Sequence, residues 1–257
     1  MTIKIGPAGT GGSSEEGFKF IKEAGLDAVE VEFTYSVWMK KEDAIKIKEL
    51  NKKLGLDLSI HAPYFVNLAS KEKAKVHASK NRILKSCEIG HYLGAKYIVF
   101  HAGFYQKQDP EIIYQMIKEE ILDMQKTIKD KKWGGVMLAP ETTGKATQFG
   151  NLDELIRLKK ETGCSLCVDF AHLRARDNGK IDYDSVMKKL EPLGHIHSHF
   201  SGIIFSEKGE RRHELTKERD IKLLFEYLKK YKIDCNIINE SPDPFGDAVK
   251  MKKMLKT

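Results

Sequence analysis

The chain has 257 residues, of which 41% are hydrophobic and 32% are charged, a composition typical of a globular protein with a sizeable core. It contains no run of about 18 apolar residues, which excludes a membrane-spanning helix. Its start, MTIKIGPAGT, lacks the basic and apolar segments of a signal peptide, so we expect a cytoplasmic protein. The net charge of +7 is compatible with a polyanionic partner such as DNA, although lysines on amphipathic helices explain it as well.

Short apolar segments alternate with segments of helical periodicity along the whole chain. The apolar segments predict strands at Ile3–Gly6, Ala28–Phe33, Asp57–His61, Tyr97–His101, Val136–Glu141, Ser165–Asp169, His195–Ser201 and Cys235–Glu240. The periodic segments predict helices at Glu15–Ala24, Lys41–Leu54, Lys71–Leu93, Pro110–Lys131, Leu152–Thr162, Tyr183–Leu190, Lys217–Lys230 and Asp247–Leu255. Several of these helices end at a glycine, the usual helix stop. Eight strand–helix units in about 250 residues predict one α/β domain over residues 1–257, a (β/α)8 or TIM barrel.

A doubly wound open sheet is the competing fold. Such a sheet binds its ligand at one switch point, usually beside a glycine-rich phosphate turn, and no G-x-G-x-x-G follows a predicted strand here. Polar residues stand instead at the ends of the third to eighth predicted strands, namely His61, His101, Glu141, Asp169, His199 and Glu240. In a barrel these ends meet at one mouth, so the barrel is favoured.

Imidazole and carboxylate side chains gathered at one mouth are typical ligands of zinc, manganese or iron. Each residue alone has another explanation; Asp169, for example, could cap the next helix. Six such residues in succession would be costly to bury without an ion, so the pattern predicts a metal site. His172 lies three residues after Asp169, in the predicted loop, and the two could reach neighbouring ions. Two or more ions suit phosphoester hydrolysis.

The sequence gives further expectations for the cysteines, for His197 and for Glu32. The four cysteines are expected to be reduced, because Cys164 and Cys167 stand three apart in a predicted strand and would point to opposite faces. His197 has the strand parity of His199 but lies one layer deeper, so we expect it to support the site rather than bind metal. Glu32 could point into the barrel near the site.

Three stretches together resemble the endonuclease IV family of AP endonucleases. HAPYFVNLA, from His61 to Ala69, resembles the family's H-x-x-Y-x-x-N-L-A/G signature; VDFAH, which ends at His172, resembles its D-x-x-H; and ESP, from Glu240, resembles its E-T/S-P. The matches occur in order, with comparable spacing, from the first strand to Glu240 and beyond. The resemblance implies a TIM barrel with a three-zinc site.

The resemblance also implies an activity, namely hydrolysis of double-stranded DNA on the 5′ side of abasic sites. Glu141 would bridge two ions and would orient or deprotonate the attacking water. The other implied ligands are, site by site, His61 and His101; Asp169, His199 and Glu240; and His172 and His213. We expect two or three zinc ions per chain, with manganese or another divalent transition metal as the alternative.

The expected contacts with DNA involve three residues. Tyr64 matches a tyrosine that the family places on its DNA-facing surface. Arg174 and Arg176 follow His172 and could contact phosphate, or they could be solvated loop charges. A monomer is expected.

Two positions depart from the family's pattern. Where the family has D-R-H, with the aspartate as a ligand of the third ion, this chain has Arg211-Arg212-His213, and an arginine cannot ligate a cation. Glu210 could substitute if the loop shifts. The family's arginine-bearing loop after the second strand is also not evident in FTYSVW, which ends at Trp38.

Two further functions stay open. One is a sugar isomerase or epimerase of the xylose-isomerase-like barrels, in which one divalent ion polarises a keto-sugar while carboxylates move a proton. Those enzymes share the set that corresponds to Glu141, Asp169, His199 and Glu240. Four histidines are surplus to such a site and favour the nuclease: His61, His101, His172 and His213. The other is a barrel that binds nucleic acid or metal without turnover.

Overall fold

The structure, a computed structural model, describes residues 1–11 and 15–256. The strands in this part of the chain are β1 (Ile3–Pro7), β2 (Ala28–Glu32), β3 (Asp57–His61), β4 (Tyr97–Phe100), β5 (Met137–Pro140), β6 (Cys167–Asp169), β7 (Ile196–Phe200), β8 (Gly202–Ser206), β9 (Gly209–Glu214) and β10 (Cys235–Asn239). The helices are α1 (Glu15–Glu23), α2 (Lys41–Leu54), α3 (Lys73–Leu93), α4 (Pro110–Asp130), α5 (Leu152–Thr162), α6 (Phe170–Arg176), α7 (Tyr183–Leu190), α8 (Glu218–Lys230) and α9 (Pro244–Lys256), and a 3₁₀ turn at Glu191–Leu193 follows α7.

Parallel strands form a closed barrel. One arc has the order β2-β3-β4-β5 and the other has the order β1-β10-β7-β6. Single parallel bridges join the two arcs, Ala8 to Glu30 on one side and Glu141 to Cys167 on the other. The predicted (β/α)8 barrel is therefore confirmed, and the ends of the predicted elements shift by up to three residues.

The barrel strands are covered on both faces, and their alternation decides which residues reach the interior. In β3, Leu58 and Ile60 belong to the large core cluster between barrel and helices. Ser59 and His61 have the opposite parity and are also buried. A separate small apolar cluster fills the barrel itself, from Tyr97, Val99, Ala139 and Cys167. The last inward-pointing residue at the carboxyl end of each strand therefore faces the mouth of the barrel.

Two elements at the mouth were not predicted. His172, expected in a loop, lies in α6, because the Asp169 side chain accepts a hydrogen bond from the backbone N–H of His172 at 2.7 Å and caps this helix. At seven residues, α6 is too short for its periodicity to stand out in the sequence. The second element is the antiparallel hairpin of β8 and β9, which follows directly on β7.

Two other expectations concern the chain as a whole. All four cysteines are buried free thiols, which confirms that prediction. Within the described residues, no helix combines the length and the apolar character that crossing a membrane requires.

Candidate metal centre

The predicted ligands converge at the carboxyl end of the barrel. They line, or lie directly beneath, a cavity of about 540 Å³ whose walls also include Glu32, Tyr64 and Glu210. Asp169 and His199 lie at its floor and are 0% exposed, whereas Glu141 is 1% exposed. All eight predicted ligands belong to groups of side chains that could hold a metal, namely His61, His101, Glu141, Asp169, His172, His199, His213 and Glu240, and Glu240 forms a further group with Glu30 and Glu32.

Glu141 lies between two groups of ligands. It directly follows β5, and its backbone bridges to Cys167 on β6, which fixes the side chain at the mouth. Its Oε2 lies 3.3 Å from His61 Nε2 and 2.9 Å from His101 Nε2. Its Oε1 faces the other way and lies 3.1 Å from His199 Nδ1. One carboxylate therefore serves two sets of donors.

The second group is built around His199. Its Nδ1 lies 3.2 Å from Glu240 Oε1, and the donor atoms of Glu141, Asp169, His199 and Glu240 all lie within 4.8 Å of one another. Asp169 contributes from the end of β6. Its Oδ1 caps α6, while its buried Oδ2 has no hydrogen-bond partner. The aspartate is thus both a helix cap and a candidate ligand.

A third group contains Asp169, His172 and His213, again with donor atoms within 4.8 Å of one another. The two histidine rings meet edge to face with centroids 5.3 Å apart. His172 comes from the first turn of α6, and His213 comes from β9. The third group therefore depends on the two elements that were not predicted.

The protein fixes which ring nitrogen of each buried histidine faces the cavity. His61 Nδ1 lies 2.7 Å from the carbonyl oxygen of Ala62, and His172 Nδ1 lies 2.9 Å from that of Thr142. A carbonyl oxygen only accepts, so in both rings Nδ1 carries the proton and donates it. In the neutral rings the lone pair is then on Nε2, which faces the candidate site. Oriented imidazoles of this kind are typical of metal ligands.

Glu30 faces His199 from the opposite side, whereas the sequence indicates a position near the site for Glu32, two residues further along the same strand. Glu30 is 0% exposed, and its Oε1 lies 2.8 Å from His199 Nε2 while its Oε2 lies 2.9 Å from His197 Nε2. His197 stacks on Tyr97, with ring centroids 4.8 Å apart. Glu30 thereby leaves Nδ1 of His199 to face Glu141 and Glu240. The sequence indicates this position, because Glu30 lies two residues before Glu32 on the same strand and both side chains therefore point to the same side.

Carboxylates crowd the floor of the cavity. Burial, together with the negative charges of Glu30 and Glu240, raises the pKa of Glu32 to about 8 against the opposing effect of His61. Burial also favours protonation of Glu141, but His101 and His199 hold its pKa well below the usual value. In the protein without a bound metal, the charged forms of the buried histidines and carboxylates therefore stabilise each other.

The donor spacing fits divalent metal ions. Two ligand atoms bound to one tetrahedral zinc at about 2.0–2.2 Å lie roughly 3.3–3.6 Å apart, and the contacts of His61 with Glu141 and of His199 with Glu240 measure 3.3 and 3.2 Å. The buried Oδ2 of Asp169 and Nε2 of His101 have no aligned hydrogen-bond partner, and an ion would satisfy such atoms. The residues present therefore fit a metal.

The residues expected to contact DNA lie in different settings. Tyr64 is 53% exposed at the rim of the cavity. Arg174 pairs with Asp220 at 3.2 Å, and Arg176 donates to carbonyl oxygens of the loop after β5, including that of Lys145 at 2.8 Å. Neither arginine lines the cavity. Their contacts favour a structural role, and DNA binding by them stays a prediction.

Comparisons with known proteins give a family and several relatives. The model of the xylose isomerase-like TIM barrel family matches residues 18–257. An uncharacterized protein of Methanocaldococcus jannaschii is 37% identical over 98% of this chain and 97% of its own length. An endonuclease 4 homolog of Dictyostelium discoideum is 27% identical over 83% of this chain, and the match spans only 42% of that protein.

Solved structures give the same fold. The structure of endonuclease IV from Thermus thermophilus has a TM-score of 0.73, with 19% identity over 100% of this chain and 99% of that one. The structure of 3-keto-D-glucoside 4-epimerase from E. coli has a TM-score of 0.69, with 18% identity over 99% of both chains. A nuclease and an epimerase thus resemble this chain about equally in fold, and the choice between them depends on the site.

Proposed function

We propose, from the premise that the chain belongs to the xylose isomerase-like TIM barrel family, that it is a metal-dependent phosphodiesterase that hydrolyses DNA on the 5′ side of abasic sites. The endonuclease 4 similarity at low identity supports the substrate class. The net charge of +7 is compatible with a polyanionic substrate.

One observation carries the proposal, namely the position of Glu141 between two sets of donors. Its two oxygens face opposite groups, with His61 and His101 on one side and His199 on the other. A carboxylate in this position suits two ions rather than one. Two neighbouring divalent ions supply Lewis acidity to a phosphate and lower the pKa of water for attack on it.

The chain's own residues would prepare this chemistry. Glu141, held in place by the backbone bridge to Cys167, would orient the attacking water and accept its proton. The carbonyl oxygens of Ala62 and Thr142 hold the rings of His61 and His172 in one orientation, so little reorganisation is required on binding. Lys145 lines the cavity and would contribute positive charge toward a phosphate.

The donor set favours zinc, with manganese as the alternative. Imidazole suits zinc, and carboxylate oxygen suits both ions. The candidate ligands are the eight residues predicted from the sequence, with Glu141 shared between the first and second groups. At about 540 Å³ the cavity falls in the range of small-ligand sites, which is enough for one displaced nucleotide.

A sugar epimerase is the second candidate, and one observation favours it. The group of Glu141, Asp169, His199 and Glu240 is complete without the other histidines and would suffice for one ion. The epimerase hypothesis gives no role to His61 and His172. Both are nearly fully buried, and each ring is oriented by a carbonyl oxygen. The nuclease reading uses both of them.

The test combines metal content with cleavage of a defined substrate. Zinc and manganese per chain are measured on the purified protein, which is then incubated with a duplex that carries one abasic site. We expect at least two ions and incision on the 5′ side, and we expect Glu141→Gln to abolish incision. Glu226→Gln, an exposed change on α8, is the matched control and should cleave normally. One ion per chain, no incision and turnover of a ketose would instead establish the epimerase.

A further inference from the structure

The third group of ligands has a second acidic neighbour besides Asp169, and it does not occupy the position of the aspartate in the D-R-H pattern. Two residues before His213 stands Arg211, whose side chain is exposed and cannot ligate a cation. Asp169, His172 and His213 supply three donors, and Asp169 also belongs to the second group, so a third divalent ion would still be short of ligands and of negative charge. The geometry of the hairpin supplies another carboxylate.

The β8–β9 hairpin contains a one-residue bulge. Ile204 pairs with Arg212 and Phe205 pairs with Glu210, so Arg211 has no partner across the ladder. In a regular strand, Glu210 and His213 would point to opposite faces because they are three residues apart. The extra residue at the bulge resets the alternation and brings both side chains to the face that covers the cavity.

The Glu210 carboxylate lies close to both histidines of the third group. Its Oε2 lies 3.5 Å from His172 Nε2, and its Oε1 lies 3.9 Å from His213 Nε2. Both distances are too long for good hydrogen bonds. The distance to His172 falls within the roughly 3.3–3.6 Å that separates two donors on one tetrahedral zinc, and the distance to His213, from the other oxygen, is slightly longer. The ring of His213 is also fixed in orientation. Its Nδ1 lies 2.7 Å from Ser201 Oγ, so its Nε2 faces Glu210.

The loop after β5 holds Glu210 in this position. The backbone N–H of Glu210 donates to the carbonyl oxygen of Gly144 at 2.9 Å. A Cβ on Gly144 would lie 2.6 Å from Glu210 Cβ and 3.2 Å from His172 Cδ2, so only glycine permits the approach. Asp169 adds an independent sign of a ligand, because its fully buried Oδ2 lies in the same group and lacks a hydrogen-bond partner.

We propose that Glu210, brought inward by the bulge at Arg211, completes a zinc site with His172 and His213 and so replaces the aspartate of the D-R-H pattern. This inference rests on the proposed multinuclear function. The third metal site is then complete, with Glu210 in place of the aspartate and with Arg211 facing solvent. Arg211→Asp is therefore not expected to add a ligand, because an aspartate at the bulge would point away from the cavity.

The test measures zinc binding without DNA, so that it is independent of cleavage. Metal-free wild-type protein, Glu210→Gln and the control Glu207→Gln are titrated with Zn²⁺ against a chromophoric chelator, and zinc per chain is counted after gel filtration. Glu207 is exposed in the turn of the same hairpin, so its variant controls for the charge change. We expect Glu210→Gln to hold one zinc ion fewer than wild type, and Glu207→Gln to match wild type.

Two further variants keep the test decisive if Glu210→Gln disturbs folding. His213→Ala should lose the same ion, and the double variant with Glu210→Gln should lose no more than either single variant, since both residues belong to one site. Arg211→Asp should leave the zinc content unchanged. Wild-type stoichiometry in Glu210→Gln, or a gain of zinc in Arg211→Asp, would overturn the assignment of Glu210 alone. A wild-type protein that binds no zinc would overturn the proposed function as well.

Discussion

The buried carboxylate of Glu30 gives a test of how the barrel interior supports the metal centre. In Glu30→Gln, the amide loses the charge that faces the Nε2 atoms of His197 and His199, at 2.9 and 2.8 Å. The amide group can donate as well as accept, so Nε2–H is no longer the enforced form of His199. The ring could then present the wrong nitrogen to Glu141 and Glu240.

The expected cost follows from the role of such partners in metal sites. Removal of a buried carboxylate behind a ligating histidine weakens metal binding by about 10–100-fold, which corresponds to about 1.4–2.7 kcal/mol. The loss should be confined to the ion bound by His199. The ions held through His61 and His172 should keep their affinity, because carbonyl oxygens orient those two rings.

The assay is a competitive zinc titration of metal-free protein, followed site by site. Ser198→Ala is the control, since Ser198 lies on the same strand as His197 and His199 with opposite parity, and donates to the carbonyl oxygen of Asn236 at 2.8 Å. It should bind zinc as wild type does. Equal zinc affinity in Glu30→Gln and wild type, with both proteins folded, would refute the positioning role of Glu30.

Three further predictions test other parts of the molecule. Gly144→Ala should displace Glu210 and cause the loss of the same zinc ion as Glu210→Gln. The control Gly134→Ala, where an added Cβ meets no atom within 4 Å, should keep that ion. The measurement is the number of zinc ions per chain. Tyr64→Ala should weaken binding of abasic DNA by about 1–3 kcal/mol, as expected for a lost stacking contact, with zinc content unchanged; equal affinity in a gel-shift titration would contradict a DNA-facing role. Asp247→Asn should destabilise the fold by roughly 1–3 kcal/mol at pH 7, measured by urea unfolding, and the difference should shrink at pH 3.

The sign of the last prediction follows from the surroundings of Asp247. Burial raises the pKa of this carboxyl group, but hydrogen bonds from Lys250 and from the backbone N–H of Thr216 outweigh burial and lower it. A lowered pKa in the folded state stabilises the fold above the unfolded value of about 3.9. The contribution disappears as the pH falls from there through the folded value. A difference between wild type and Asp247→Asn that did not change with pH would contradict this account.

The barrel and the position of most mouth residues could be predicted because both depend on local patterns. The strand ends at His61, Glu141 and Asp169 follow from apolar runs that stop at a polar residue, and parallel strands bring such ends together. The placement of His197 one layer below His199 likewise follows from alternation alone. These inferences require no knowledge of which strands face each other across the barrel.

The contacts that the sequence analysis missed depend on distance along the chain or on irregular backbone. Glu30 and His197 are 167 residues apart and lie on strands that are not neighbours in the barrel, so no local pattern connects them. The bulge at Arg211 shifts the alternation by one residue, and hairpin pairing determines it rather than composition. The sequence pattern predicts a loop at His172, because the seven residues of α6 make only about two helical turns, too few for a clear periodicity.

The bulge and the anchored histidines bear on the choice between nuclease and epimerase. A single-ion site would need Glu141, Asp169, His199 and Glu240, and selection for that site alone would not favour burying His61 and His172 with their rings locked by carbonyl oxygens. Buried imidazoles without a ligand destabilise a fold. The bulge also turns Glu210 toward His172, in a region already rich in carboxylates. Further cations on both sides of Glu141 would offset these costs, and this is the arrangement that the proposed phosphoester hydrolysis would use and that a keto-sugar epimerase does not require.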